Sequence, residues 1–404
     1  TKGNWCGQFW TIDRMTQLPS IIGSSSALRQ RQWDNQSRVT YFYEGVTKGF
    51  FQNWKAGGVF LADRQTYWMY YPKASEMNDT NQVTSFQSIL FSEWERKKEN
   101  QILWLRGEWR EARVLINEQS KTVQLPQILM TWSNRGIGRW LLNASGKWAK
   151  SPELLWNKTG QGSISYMPSG RWFKQIKLQG QWVERAPDFN ELYWPLSGNT
   201  QLKSEQSIGS ALFGTLEYQK DAKHRFRMEG NVENRIVKNW IQWIPQVDGL
   251  WRPMNIQEVE SWHAEAKVLS GYKWRGMQVQ FFSFTEWNRV QGRSINSISD
   301  KFNLPYVPNW KVSHQLDVAM KNWSTGINQR WISARYSDQN NSVSMKLPSV
   351  QLWNVFLSYR FIWKKQIIST QLKCENVTNA QYQEVRSYAL PGRVWSIQMN
   401  YNIN

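Results

Sequence analysis

Apolar and polar residues alternate with a period of two along most of this chain. Ile176, Leu178, Gly180 and Trp182 alternate with Lys177, Gln179 and Gln181. Trp353, Val355, Leu357, Tyr359 and Phe361 alternate with Asn354, Phe356, Ser358 and Arg360. Ile368, Thr370, Leu372 and Cys374 alternate with Ser369, Gln371, Lys373 and Glu375. In the closing segment, Trp395, Ile397, Met399, Tyr401 and Ile403 oppose Val394, Ser396, Gln398, Asn400 and Asn402. Successive side chains of a strand point to opposite faces, so each segment reads as a strand with one greasy and one wet face. Helical periodicity is weak, and its best short candidate runs from Asp188 to Tyr193. The pattern predicts about 16 to 19 strands of about 10 residues each. Turns and loops are expected in "KGFFQNWKAGG", "SNRGIGR", "LSGNTQLKSE" and "QKDAKH".

A soluble propeller would repeat a blade motif about every 40 to 50 residues, and no such repeat is present. A soluble sandwich would also alternate. A transmembrane barrel needs strands of about 9 to 11 residues, apolar positions toward lipid, aromatic girdles and a polar lumen. The alternating segments supply all four. The expected fold class is therefore all-β, an antiparallel transmembrane β-barrel. Every backbone group in lipid must pair, so such a sheet has to close. Its last strand would seal the ring rather than fray.

Composition strengthens this reading. Of 404 residues, 27 are Trp, and 15 % are aromatic. Indole joins an apolar body to a polar N–H and prefers places greasy on one side and wet on the other. No apolar run of about 18 residues exists, so no transmembrane helix is expected. The opening residues show no charged and apolar leader pattern. Either a leader has been removed or the sequence begins downstream of one. The net charge of +19 fits a solvated basic surface, or attraction to polyanions such as nucleic acid or lipopolysaccharide phosphates. Basic residues are scattered singly, with no basic run, recognition helix or zinc spacing. A membrane setting is therefore preferred, and no nucleic-acid partner is expected.

Little else points to chemistry. Cys6 and Cys374 fit no metal spacing; a disulfide between them stays open, and two isolated thiols are preferred. His263 shares a strand face with Glu265 but not with Glu260, and "ESWHAE" is no metal-ligand pattern. No local context marks a Ser–His pair for a barrel hydrolase. "NRGIGRW" lacks the strand–turn–helix setting of a nucleotide site and reads as a hairpin turn. No catalytic residue, metal or resident cofactor is expected. Trp240, Trp243 and Trp251 in "WIQWIPQVDGLW" have two readings: stacking on a flat ligand, or anchoring at the membrane interface. Trp353, Tyr359, Phe361, Trp395 and Tyr401 in the closing strands read as interface anchors.

The segment "ERAPDFNELYWPLSGNTQLKSEQSIGSALFGTLEY" is the most specific motif in the chain. Its Arg185, Ala186, Pro187, Asn190, Glu191, Leu192, Tyr193, Gly198, Asn199, Leu202 and Glu205 resemble a hallmark of TonB-dependent outer-membrane receptors, especially the cobalamin-receptor-like branch. Ser204 stands where that family has Pro. Four further stretches, "QLPSIIGSSSALRQRQWDN", "GLWRPMNI", "NLPYVPNWKVSHQLDV" and "LPSVQLWNVFLSYRF", resemble the family's strands and loops. So does the end of the chain, where "NVTN" precedes "YALPGR" with Pro391, Gly392 and Arg393.

The resemblance implies part of a 22-strand barrel in the outer membrane of a Gram-negative bacterium. Residues 1–404 read as one barrel domain. The family's plug domain is not visible, and the first strands look absent too. A portion of a larger receptor is preferred over a plug-less relative. The implied function is energy-dependent uptake of a bulky scarce nutrient, a cobalamin-like compound first and an iron chelate next. Implied partners are outer-membrane lipid and lipopolysaccharide, a TonB-type energy-coupling protein acting through a plug, and a surface lipoprotein lid. A second reading is a plug-less structural subunit of a larger outer-membrane assembly or secretion complex. A plug with a TonB box encoded directly upstream would exclude that second reading.

Overall fold

The computed structural model describes residues 3–18, 29–70, 78–116, 119–151, 156–194, 197–219, 221, 223–246, 250–293, 301–363 and 366–402. The first strands are β1 (Gly3–Leu18), β2 (Arg29–Val46), β3 (Asn53–Tyr70), β4 (Asn78–Lys98) and β5 (Gln101–Ile116). There follow β6 (Gln119–Gln124), β7 (Gln127–Ile137), β8 (Trp140–Lys150), β9 (Trp156–Tyr166) and β10 (Phe173–Arg185). The helix α1 (Phe189–Tyr193) precedes β11 (Glu205–Gln219), β12 (His224–Pro245), β13 (Trp251–Trp274) and β14 (Met277–Arg293). Next come β15 (Lys301–Asn303), β16 (Trp310–Met320), β17 (Trp323–Ile332), β18 (Arg335–Tyr336) and β19 (Lys346–Leu347). The chain ends in β20 (Val350–Trp363), β21 (Gln366–Glu375) and β22 (Val394–Asn402).

One sheet contains 20 of these strands, each antiparallel to its predecessor along the wall, and β18 and β19 form a separate small pair. Two staves of the wall are broken. β6 pairs with Glu111–Ile116 of β5, whereas β7 pairs with Gln101–Glu108 of the same strand. The break falls at Pro126, which has no N–H for the ladder. β15 and β16 divide β14 in the same way. The sheet therefore has 18 staves, within the expected range. Among the described residues β1 and β22 do not pair with each other.

Strand length departs from the expected value of about 10. β12 has 22 residues and β13 has 24. Membrane crossing sets a minimum length only. A hairpin can run on into water because each strand satisfies its neighbour's backbone groups.

Register puts the greasy positions of neighbouring strands on one face. Leu178 opposes Leu212, which opposes Val232, which opposes Ala264. Leu357 opposes Leu372, which opposes Ile397. Leu178, Leu212, Leu357, Leu372 and Ile397 are all exposed, so this is the outer surface. The other face carries the charges. There Arg106 pairs with Glu93 and Glu108, Arg235 with Glu233, and Lys311 with Glu286. His263 Nε2 lies 3.1 Å from Glu265 Oε1, as the shared face requires. Among the described residues no metal-ligand cluster forms. Cys6 and Cys374 are both free thiols, one exposed and one buried.

The two ends of the wall differ. One end has short turns, such as Glu99–Asn100, Gly138–Arg139, Arg275–Gly276 and Lys321–Asn322. Gly138 and Gly276 have φ of +58° and +82°, where glycine is unstrained. The other end carries long connections, including residues 186–204, 333–349 and 376–393.

Candidate ligand-facing loop layer

The long connections are ordered by side chains. The most specific motif of the sequence builds the largest of them. Asp188 caps α1, accepting from the Glu191 N–H at 2.8 Å, while the Glu191 carboxylate accepts from the Asp188 N–H at 2.9 Å. This reciprocal box satisfies two orphan donors of the helix. Arg185, at the end of β10, clamps the arrangement. Its guanidinium donates to both Glu205 oxygens at 2.7 and 2.8 Å and to both Glu191 oxygens at 3.0 and 3.1 Å. Glu205 first, and Glu191 next, hold Arg185 still more firmly protonated than a free guanidinium. Glu205 also accepts from the Ile241 N–H at 2.7 Å, which ties β12 to the clamp.

Below the clamp, Leu192, Leu202 and Ile241 form a small buried core, with Tyr193 packed against it. Pro187 is fully buried beside it in sequence. Lys121 of β6 lies 4.0 Å over the Tyr193 ring and donates to its hydroxyl. Asn190 is exposed and gives its carbonyl to the Trp194 N–H at 3.1 Å. At Gly198 a Cβ would stand 2.6 Å from Trp194 N and 2.7 Å from Leu192 O, so only glycine fits. The Asn199 amide donates to Pro253 O at 3.1 Å. Asn255 exchanges hydrogen bonds with Lys203 and also donates to Asn239 O at 2.7 Å. Asn239 itself donates to Ser204 O at 3.3 Å.

Contacts continue around the rim. Trp240 packs against the cluster of Ile256, Val259 and Leu304. Trp243 pairs with Pro253, and the Trp251 ring lies 6.0 Å from Tyr306. Tyr306 N–H donates to Tyr336 O at 2.7 Å. Arg335 is buried and donates to the carbonyls of Gln383 and Glu384 at 3.2 and 3.1 Å. Arg386 returns a bond to Ser344 O at 2.8 Å. Burial keeps the Tyr306, Tyr382 and Tyr388 phenols above their ordinary value of 10.0. In the last connection Asn379 Oδ1 accepts from the Arg393 N–H at 2.9 Å, and Gly392 packs against the same amide. Pro391 precedes them, exposed.

The motif residues thus meet in one layer, whereas the closing-strand aromatics are spread over both ends. Trp353 and Trp395 lie toward the loop end of the outer face. The Tyr359 ring lies tilted 4.5 Å from Trp323 and stacked 6.1 Å from Phe361 at the turn end. Tyr401 pairs with Ile368 in the ladder, and its side chain lies outside the described residues, as does Ile403. Asp188, Asn239, Asn255 and Arg335 were not singled out from sequence. The Asp-x-x-Glu spacing before α1 was a readable signal. The other three act across distant loops and leave no local mark.

The family model for the TonB dependent receptor-like β-barrel matches residues 24–377. The chain belongs to the TonB-dependent receptor family. Receptor barrels of this kind are proteins of the Gram-negative outer membrane, and they are transporters and receptors rather than enzymes. Vitamin B12 transporter BtuB of Vibrio vulnificus (strain YJ016) is 23 % identical over 228 residues, 54 % of this chain and 33 % of the relative. The chain therefore spans about a third of that relative's length. The copper transporter OprC superposes with a TM-score of 0.70 at 11 % identity, over 97 % of this receptor barrel and 75 % of that chain. The FrpB iron transporter of Neisseria meningitidis (F5-1 variant) gives 0.72 at 11 %, over 99 % and 70 %. The unliganded ferric citrate transporter FecA gives 0.71 at 10 %, over 98 % and 67 %.

Proposed function

We propose that this chain forms the wall and outward loops of a receptor for TonB-linked uptake of a bulky, scarce nutrient. A cobalamin-like compound is the first cargo class and an iron chelate the next. The observation that carries the reading is the loop layer, in which Arg185, Glu191, Glu205, Asn199 and Asn255 hold an ordered platform at one end of the wall. A platform held in advance lowers the ordering cost of binding. Half-buried Trp243 and Trp251 are the side chains proposed to stack on the cargo, while Trp240 packs into the core cluster of Ile256, Val259 and Leu304. Trp353, Tyr359, Phe361, Trp395 and Tyr401 are proposed as interface anchors. An energy-coupling partner would act on a plug inside the ring, and a surface lipoprotein would be able to cover the loop layer. We further propose that the 18 staves belong to the ring of 22 that the family resemblance implies; the open edges of β1 and β22 among the described residues are consistent with further strands.

Binding of a panel of corrinoids and siderophores to the purified receptor tests this directly. One class should bind, and Trp251→Ala should weaken it about tenfold, or ~1.4 kcal/mol. If no member of the panel binds, or if Trp251→Ala and Trp243→Ala bind like the parent, the reading fails.

A further inference from the structure

Three connections of the loop layer meet at one cation. Arg335 follows β17 and opens β18, which pairs with β19 inside residues 333–349. Its Nη2 donates to Gln383 O and Glu384 O in residues 376–393. Tyr306, between β15 and β16, joins them. Its N–H donates to Tyr336 O at 2.7 Å, and its phenol lies beside the Ser337 side chain, the Arg386 backbone and the Arg335 guanidinium.

Arg335 is not fully satisfied at this junction. The residue is 5 % exposed, and among the described residues its Nη1 has no hydrogen-bond acceptor. Such a group loses twice, because a donor goes unused and a charge leaves water. Burial makes the guanidinium hold its proton less firmly than a free one; Glu384 offsets part of this from a distance and Arg330 opposes that help. A water molecule would accept the Nη1 hydrogen bond but would bring no charge.

The carboxylates of the region are engaged elsewhere. Glu384 pairs with Arg330 at 3.4 Å, both side chains nearly half exposed. Asp338 accepts from the Ser342 N–H and hydroxyl, and Glu375 pairs with Lys373. The other nearby cations find neutral partners. Arg386 donates to Ser344 O, and Lys346 lies over the Tyr336 ring. Residues 333–349 and 376–393 thus carry Arg335, Lys346, Arg386 and Arg393 against Asp338 and Glu384 alone. The missing partner of the junction is negative charge.

We propose that Arg335 Nη1, beside the Tyr306 phenol, binds a small inorganic anion of chloride size and charge. Enclosure of Nη1 sets the size, since a carboxylate carried on a bulky ligand does not reach it. The anion closes the junction of the three connections and stiffens that part of the loop layer. An ion that binds only the closed arrangement stabilises it by mass action. The site is separate from the Arg185 clamp and does not depend on the cargo.

The test is amide exchange of the whole receptor in detergent, in sodium chloride or sodium gluconate at equal ionic strength. Residues 333–349 and 376–393 should exchange about tenfold more slowly in chloride. Residues 186–204, held by Arg185, should exchange alike in both salts. Arg335→Met should remove the difference between the salts, and Lys346→Gln should keep it. A crystal of the parent soaked in bromide should show an anomalous peak beside Arg335 Nη1. Equal exchange of the parent in the two salts overturns the proposal, as does a salt difference that survives in Arg335→Met. If Arg335→Met loses its loop order in both salts, the bromide map of the parent decides. A peak at Nη1 then supports the site, and its absence means that water serves there and overturns it.

Discussion

Removing Arg185 would leave Glu191 and Glu205, with side chains only 9 % and 13 % exposed, facing each other without a cation. Breaking such a pair from one side costs about 3 kcal/mol. Arg185→Ala should therefore speed amide exchange in residues 186–204 about 100-fold, and Arg185→Lys should recover part of the loss because lysine cannot make the fourfold fork. Amide exchange in the Arg185→Ala protein as slow as in the parent would show that the clamp is idle. Tyrosines give the loop layer a pH limit. Tyr306, Tyr382 and Tyr388 sit above 10.0 because burial disfavours the phenolate. Raised values contribute stability that is complete below pH 10.0 and fades as pH climbs through them. Limited proteolysis should cut residues 333–349 and 376–393 faster above that pH, with Tyr306→Phe blunting the rise. Of these groups, the sequence marked Arg185, Glu191 and Glu205 by motif. It did not mark Arg335, because its partners Gln383 and Glu384 lie almost 50 positions away along the chain.

At the scale of elements, the β12–β13 hairpin is more than wall. It rises past the membrane and holds the 199–204 segment through Asn239, Asn255 and Pro253. Asn255→Ala would remove three hydrogen bonds at once, those to Lys203 N–H, Lys203 O and Asn239 O. A loss of about 2 kcal/mol is expected, read as earlier thermal release of the loop layer while strand circular dichroism persists. Simultaneous melting of loop and wall would refute this separation. Alternation made the strands legible, and even the one-turn helix at 189–193 was visible in the pattern. Strand length was not, because a hairpin in water obeys the same alternation as one in lipid.

For the whole molecule the decisive property is which face meets lipid. Register assigns Leu372 to the outside and Gln371 to the inside of the same strand. Leu372→Lys should destabilise the barrel by about 2–4 kcal/mol near the midplane, whereas Gln371→Lys should change little. Urea titration of the folded band on gels measures both. Equal effects would mean that the wall is not surrounded by lipid.

The sequence by itself determined the all-β class, the two faces of each strand, the aromatic excess and the ordered family motif. These are local properties: a period of two and a run of specific residues survive without knowledge of neighbours. Tertiary structure alone decided how the motif works. The Arg185 clamp needs β10, α1, β11 and β12 in one place. Long-range pairing brings such residues together, and pairing is what a linear pattern does not contain.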